Sequence, residues 1–341
     1  MAMVQNIAYG IPSDEWNEYG VPSLIRENSY GKTYRVTAHD NSFYLLRVNI
    51  IGQIPQRMLN EQGDVISFKL SQDLCHENIA QIFHGRYFNE TIGQYQYIKT
   101  ESFDGELLSD KLKREGKLPL DEAVRIFRGI LEGLHYLHTQ KKPLLVNNIT
   151  PHNIIINNDG TAKLMNLGHL SIIKIPFIDL PFDKKELDKR YLSPETYHDI
   201  YTAQTDIYSA SAVFYQMLFG HIPWPTVSLA ERNWHSLEES SRTIEPDFSG
   251  IELSEAYRKI LSQGLRWHMF FRYLHAETII SDIEKASEVV LPPPLQKEAD
   301  MISIDKQPKE KIGSVIQRSM SHIFRKFFTL ANNYHAKICN L

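Results

Sequence analysis

Three asparagines in the middle of the chain are the first candidates for chemistry. Asn148 and Asn153 lie in the run Val146–Asn153, VNNITPHN, and Asn166 lies in Lys163–Gly168, KLMNLG. Side-chain amides hydrogen-bond well, and their oxygens can ligate a cation. They carry no charge and take up no proton near neutral pH. A loop built on amides therefore suits positioning rather than proton transfer. Arg47, after the apolar Tyr44-Leu45-Leu46, is a cation within what reads as a strand, and its first reading is a surface or ion-pair residue. Cys75 and Cys339, the two cysteines, have no metal-ligand spacing. So few thiols argue for a reducing compartment and against a disulfide scaffold.

Several elements must position these residues. Residues 21–50 read as strands, with Asp40-Asn41 as a turn. Residues 55–74 carry helical spacing, with Val65, Ile66, Phe68, Leu70 and Leu74 on one face. Two strand-like runs follow, IAQIFHGRYF and YQYIKTES. The segment DEAVRIFRGILEGLHYLH predicts an amphipathic helix with Val124, Phe127, Ile130, Leu131, Leu134 and Leu137 as its buried stripe. A strand-loop-strand stretch holds the asparagines, with Asp159-Gly160 as a tight turn. Three helices are then predicted, over DIYSASAVFYQMLFG, SEAYRKILSQGLR and AETIISDIEKASE. Strands first and helices after predict an α+β fold of two lobes with a cleft between them. The lobes fall at about residues 21–102 and 103–288, after an N-terminal extension of residues 1–20. Leu291-Pro292-Pro293-Pro294-Leu295 cannot continue a helix and opens a linker over residues 289–311.

The 341 residues are 42% hydrophobic and 23% charged, in the ordinary globular range. The net charge of −4 hides an asymmetry. From Lys306 onward seven Lys/Arg stand against one acid, a charge of +6, which leaves −10 on residues 1–305. Residues 312–341 space apolar side chains at helical intervals among Arg318, Arg325 and Lys326. Three readings of this basic amphipathic helix stay open: it docks on its own acidic body, it binds a partner protein, or it lies on an anionic membrane surface. Nucleic acid is not an expected partner. The first twenty residues lack the features of a signal peptide and no run reaches membrane-spanning length, so the cytoplasm is the expected compartment.

The asparagine loops resemble the catalytic and metal-binding loops of the eukaryotic-type Ser/Thr protein kinases, H-R-D-x-K-P-x-N and D-F-G. Here those patterns read Val146-Asn147-Asn148-Ile149-Thr150-Pro151-His152-Asn153 and Asn166-Leu167-Gly168, with no gap in the spacing. Other landmarks fall in order. His76-Glu77-Asn78-Ile79 resembles the turn after the regulatory helix. Ser193-Pro194-Glu195 resembles A-P-E, and Asp206-Ile207-Tyr208-Ser209 opens the central helix. Arg272 stands where the family has an arginine paired to the A-P-E glutamate. The resemblance covers roughly residues 20–288 and implies a bilobal kinase fold.

It also implies that the reactive set is degenerate. Phosphoryl transfer needs positioned charge and a close-fitting glycine loop. The glycine pattern falls on Arg26, Asn28 and Gly31, of which only Gly31 survives. The anchoring lysine falls on Arg47, its glutamate partner on Ser67, the general base on Asn148, the nearby lysine on Thr150 and the metal aspartate on Asn166. Asp64, one turn before Ser67, could replace it only if the helix shifted. Asn153, the second metal ligand of the pattern, is retained and reads as a bond within the loop. Leu45 replaces a small alanine and would fill the slot for adenine. The vestigial cleft is thus Gly31, Leu45, Arg47 and Glu101. The scaffold set, Glu195, Asp206 and Arg272, is kept. The expected protein is a pseudokinase that scaffolds or regulates a partner through the tail or the activation segment, with no cofactor and no metal. The alternative is a weak, atypical phosphotransferase using ATP and Mg. Tyr191 and Ser193 lie on the expected activation segment as sites open to modification.

Overall fold

The computed structural model describes residues 22–89, 93–165, 170–172, 182, 184–224 and 246–288. All belong to the first of two units into which the chain divides, residues 1–291. The N-terminal extension, the linker, the tail helix expected over 312–341 and Cys339 lie outside the described residues.

The first part is a five-stranded antiparallel sheet. Its strands are β1 (Ser23–Asn28), β2 (Gly31–Thr37), β3 (Phe43–Ile50), β4 (Ile82–Asn89) and β5 (Gly93–Thr100), in the order β1-β2-β3-β5-β4. The β2–β3 turn forms at Asp40-Asn41, where Asn41 adopts φ 67° and Asp40 accepts the Ser42 N–H at 2.9 Å. Central β3 is apolar on both faces. Tyr44 and Leu46 pack with Val36 on one side, and Phe43 and Leu45 face the other part of the molecule.

The helix expected across residues 55–74 is much shorter. Only α1 (Ile66–Ser71) forms, after a 3₁₀ turn at Gln56–Met58 and a tight turn at Gly63. Asn60 explains the difference. Its side chain accepts the Asp64 N–H at 2.7 Å and its carbonyl accepts the Gly63 N–H at 2.9 Å. A side chain that satisfies local backbone in this way competes with a helix.

The second part is mainly helical. It contains β6 (Glu106–Leu107), α2 (Leu108–Glu115), α3 (Leu120–His138), β7 (Leu144–Leu145), β8 (Ile154–Ile156), β9 (Ala162–Leu164), β10 (Ser171–Ile172), α4 (Ala203–Phe219), α5 (Glu255–Gly264) and α6 (Ala276–Glu288). The α3 stripe is rotated slightly from expectation, since Ala123 and Ile126 are buried while Val124 is only partly so. Phe127 of α3 stacks on Phe214 of α4 with ring centroids 4.3 Å apart. Helix α4 is buried on nearly every side, as a central helix should be. It starts at a capping box of Thr202 and Thr205 and stops at Gly220, φ 80°.

The turn at His76–Ile79 joins the two parts. Asn78 donates from Nδ2 to the Ala162 carbonyl at 2.8 Å and accepts the Leu164 N–H at 2.8 Å, and the Ala80 N–H returns to Leu164 O. It sits against α3 at Gly133, where a Cβ would come within 3.0 Å of Asn78 O.

Candidate functional site

The cleft lies beneath β3, and alternation along the strand points Phe43, Leu45 and Arg47 the same way. Phe43 and Leu45 meet Ala80, Phe103, Ile155 and Met165 in one cluster, and no member is more than 6% exposed. The Phe43 and Phe103 rings lie 5.8 Å apart. Their backbones also pair: Phe43 N–H donates to Phe103 O at 2.8 Å and Phe103 N–H to Phe43 O at 2.7 Å. The connecting strand end is engaged in the same way. Thr100 Oγ1 accepts the Leu45 N–H at 2.9 Å and donates to Glu101 O at 2.9 Å. The Glu101 carboxylate turns from the cleft to Lys163 Nζ, 2.9 Å away, and to the Gln81 N–H. The segment bridging the two lobes therefore already pairs both backbone groups of Phe103 and the Glu101 carbonyl within the protein.

Arg47 stands at the polar end of this face and is 8% exposed. Its Nε donates to Asn49 Oδ1 at 2.9 Å, its Nη2 lies 3.8 Å from Glu186 Oε2, and its guanidinium lies 5.5 Å from the Tyr30 ring centre. Asn28, at the tip of β1, also donates to Glu186. A carboxylate from residues 184–186 thus fills the space between the strand tip and Arg47. Ser67 is fully buried and its hydroxyl bonds nothing among the described residues, and Asp64 is held by Asn60. Neither pairs with Arg47. Burial and the neighbouring Arg47 charge hold the Arg26 guanidinium below its usual value, against the pull of Glu186 and Asp188.

Gly31 has a packing reason to be glycine. A Cβ there would lie 2.2 Å from Asn49 Oδ1 and 2.7 Å from Val48 O. The side chain that orients Arg47 occupies that place.

The asparagine loop is anchored from below. Asp206, fully buried, accepts the Val146 and Asn147 N–H groups at 2.8 Å each, and His138 Nε2 lies 3.0 Å from its Oδ2. Asn153 donates from Nδ2 to Asn148 O at 2.8 Å. Thr150 is buried, and its carbonyl accepts the Asn153 N–H at 2.9 Å. Asn148 Oδ1 faces the Asp188 N–H at 3.4 Å. Asn166, Leu167 and Gly168 lie outside the described residues. Among the described residues no group of three or more His, Cys, Asp or Glu is placed to hold a metal ion, and no helix is long and apolar enough to cross a membrane.

Glu195 and Arg272 form a buried fork, with Nη1 at 2.5 Å from Oε1 and Nη2 at 2.8 Å from Oε2. Arg272 further donates to the carbonyls of Arg266, Gln204 and Trp267. Tyr191 and Ser193, named above as open to modification, are closed in this structure. Tyr191 is 2% exposed with its hydroxyl on Gln216, and Ser193 is fully buried. Burial pushes the Tyr191 phenol well above its usual value. Sequence reasoning missed Phe43, Phe103, Asn49 and Glu186. The first had a readable signal, since Phe43 shares strand parity with Leu45 and Arg47. Glu186 had none, because it meets Asn28 across 158 residues.

The model of the protein kinase domain matches residues 25–281, so the chain belongs to the protein kinase domain family. Over 224 residues it is 25% identical to the serine/threonine-protein kinase grp of Drosophila melanogaster, covering 62% of this chain and 43% of that protein. Serine/threonine-protein kinase 12 of Arabidopsis thaliana is 28% identical over 180 residues, 51% of this chain and 38% of the relative. Serine/threonine-protein kinase STK11 of Mus musculus is 24% identical over 281 residues, 77% and 63% of the two chains. The chain spans less than half the length of the first two.

Proposed function

We propose that this protein kinase domain is a pseudokinase: it transfers no phosphoryl group, uses neither ATP nor magnesium, and acts by holding or regulating a partner protein. The observation that carries this reading is the plug of Phe43 and Leu45 against Phe103, Ile155 and Met165, with the Phe103 N–H and C=O already bonded to Phe43. A nucleotide base would have to displace packed side chains and break two backbone hydrogen bonds. The polar end supports the same reading. Glu186 occupies the Arg47 side of the cleft, where it would repel phosphate oxygens. Asn148 offers no proton acceptor. Glu195, Asp206 and Arg272 keep the fold that a binding module needs.

The test is a thermal-shift titration of the full chain with ATP and MgCl2, run beside a radiolabelled phosphoryl-transfer assay on a generic protein substrate. The expected results are an unchanged melting temperature and no label above a boiled control. A magnesium-dependent rise of several degrees, or transfer that survives stringent purification, overturns the proposal in favour of a weak phosphotransferase. The partner itself is to be sought by affinity capture with the intact chain.

A further inference from the structure

Strand β3 opens Phe43-Tyr44-Leu45-Leu46, without the alternation of a half-buried strand, and a strand apolar on both faces needs cover on both. The inner face has it, in the cleft cluster of Phe43 and Leu45. The outer face holds Val36, Tyr44 and Leu46, which are 0%, 1% and 0% exposed, with Val48 and Tyr97 packed against them. All five stand on β2, β3 and β5, and no described apolar residue from outside the sheet joins the cluster. Lys99, on the same face, sets its ammonium 4.5 Å from the Tyr44 ring centre. On a bare sheet the tips of Val36 and Leu46 would meet water, so their full burial requires a cover that the cluster itself does not supply.

The strand register measures the width of that cover. Leu24, Tyr34, Leu46, Lys99 and Phe83 form one row across β1, β2, β3, β5 and β4. Leu46 in the middle is fully buried, whereas Leu24 and Phe83 at the two ends are 51% and 50% exposed. Strands lie about 4.8 Å apart, so the row spans roughly 19 Å. The covered middle is then about 10 Å wide, the diameter of one helix or extended segment with its side chains. A single stretch of chain fits this strip. A globular partner or a second copy laid flat on the sheet would cover the ends as well.

We infer that the outer face of the sheet is a docking site for the chain's own N-terminal segment, residues 1–20. That segment leads straight into β1, which begins at Ser23 and is an edge strand of the same sheet. It belongs to the same unit of the chain as the sheet, residues 1–291, whereas the basic tail falls in the other. Its composition matches the face. Ile7, Tyr9, Ile11, Trp16 and Tyr19 supply apolar area, and Asp14, Glu15 and Glu18 stand with no Lys or Arg among them. The face carries the opposite sign, in Lys99 and in Lys32, and its acid Glu27 is already 3.2 Å from Lys32. The tail, with Arg318, Arg325 and Lys326, would bring cations to those lysines. The inference stands apart from the cleft and holds whether or not nucleotide binds.

Photo-cross-linking of the full chain tests it, with p-benzoyl-phenylalanine in place of Trp16 and the linked peptides mapped by mass spectrometry. Links are expected within one chain, to the peptides that carry β2, β3 and β5. Links to the helical part, or between two chains, overturn the inference. The same probe in place of Phe324 of the tail is expected to leave those strands unlabelled, and labelling there would make the tail the occupant and overturn it equally. Hydroxyl-radical footprinting gives an independent reading. Ile11→Ser/Trp16→Ser is expected to raise the oxidation of Tyr44 and Tyr97 at least about threefold, with Tyr215, fully buried in the helical part, unchanged. Unchanged oxidation of Tyr44 in a variant that still melts cooperatively overturns the inference. If that variant fails to fold, the cross-links decide.

Discussion

Truncating the plug tests both its packing and its bearing on nucleotide binding. Leu45 is 6% exposed and Phe43 fully buried, and both touch the same cluster. Leu45→Ala removes three buried carbons and leaves a cavity, which costs about 2–5 kcal/mol, and Phe43→Ala costs about 3–5 kcal/mol. The residues share neighbours, so the double variant is expected to cost less than the sum of the two, by roughly 0.5–3 kcal/mol. Urea denaturation read by tryptophan fluorescence measures all three. Neither variant frees the Phe103 N–H and C=O, because those bonds run to the Phe43 backbone, which alanine keeps. The double variant is therefore expected to stay blind to ATP at millimolar concentration. Amide hydrogen exchange at Phe43 and Phe103 is expected to remain as slow as in the neighbouring β2–β3 ladder. A Leu45→Ala cost below about 1 kcal/mol would show that the slot is not packed. Submillimolar ATP binding by the double variant would show that side-chain bulk alone had kept nucleotide out.

Four further substitutions probe the rest of the site. Arg272→Met removes the cation that pairs with Glu195 and the donors to three carbonyls, and is expected to cost about 3–5 kcal/mol in chemical denaturation, as for a buried ion pair broken on one side. Gly31→Ala brings a methyl within 2.2 Å of Asn49 Oδ1, so a loss of about 1–3 kcal/mol is expected, partly relieved when Asn49→Ala is added. Asp188 has its carboxyl pushed up by burial, but hydrogen bonds from Arg190 more than reverse this and hold it below the ordinary carboxylate value. Its contribution is then full above the unfolded-state value and lost as pH falls below it, so Asp188→Asn is expected to flatten the acid limb of a melting-temperature profile, by less than about 1 kcal/mol for this partly exposed pair. Asn148→Asp places a carboxyl in a site only 4% exposed, and is expected to lower stability by about 1–4 kcal/mol at pH 7 without creating transferase activity. The penalty grows as pH rises above the unfolded carboxyl's value of about 3.9, and a variant as stable as wild type at pH 7 would contradict the closed cleft.

The parts of this fold that were legible in the sequence are those in which one residue type does a job that spacing fixes. Asp206 stands at the first turn of the central helix, where its carboxylate takes two N–H groups from the loop. Glu195 and Arg272 meet in a buried fork that needs both members. The cleft was legible only in part. Leu45 could be read from its bulk as filling the slot, but Phe43 reaches Phe103 mainly through backbone pairing, and side-chain identity does not encode the docking of a strand start against a distant segment. The same limit hid Glu186. The error over residues 55–74 is of another kind. The apolar periodicity was present, yet Asn60 and Gly63 close a turn inside it, and local hydrogen bonding outweighed a pattern too short to nucleate a long helix.

The substitutions across the cleft are linked by one physical requirement. In the proposed filled slot, a buried charge beneath β3 must find its partner within the protein. Arg47 meets this with Asn49, Glu186 and the Tyr30 ring. A lysine there, with a more strongly hydrated point charge, would be harder to bury and could not offer Nε and Nη2 to two acceptors at once. A carboxylate at position 148 would sit beside the Asp188 backbone in a site only 4% exposed, where burial penalises charge, so a neutral amide is the stable choice there. Gly31 belongs to the same set, since the Asn49 side chain that orients Arg47 needs the space a Cβ would take. Restoring single catalytic residue types to this cleft is therefore expected to cost stability well before it returns activity, because each would enter a site whose neighbours already balance one another.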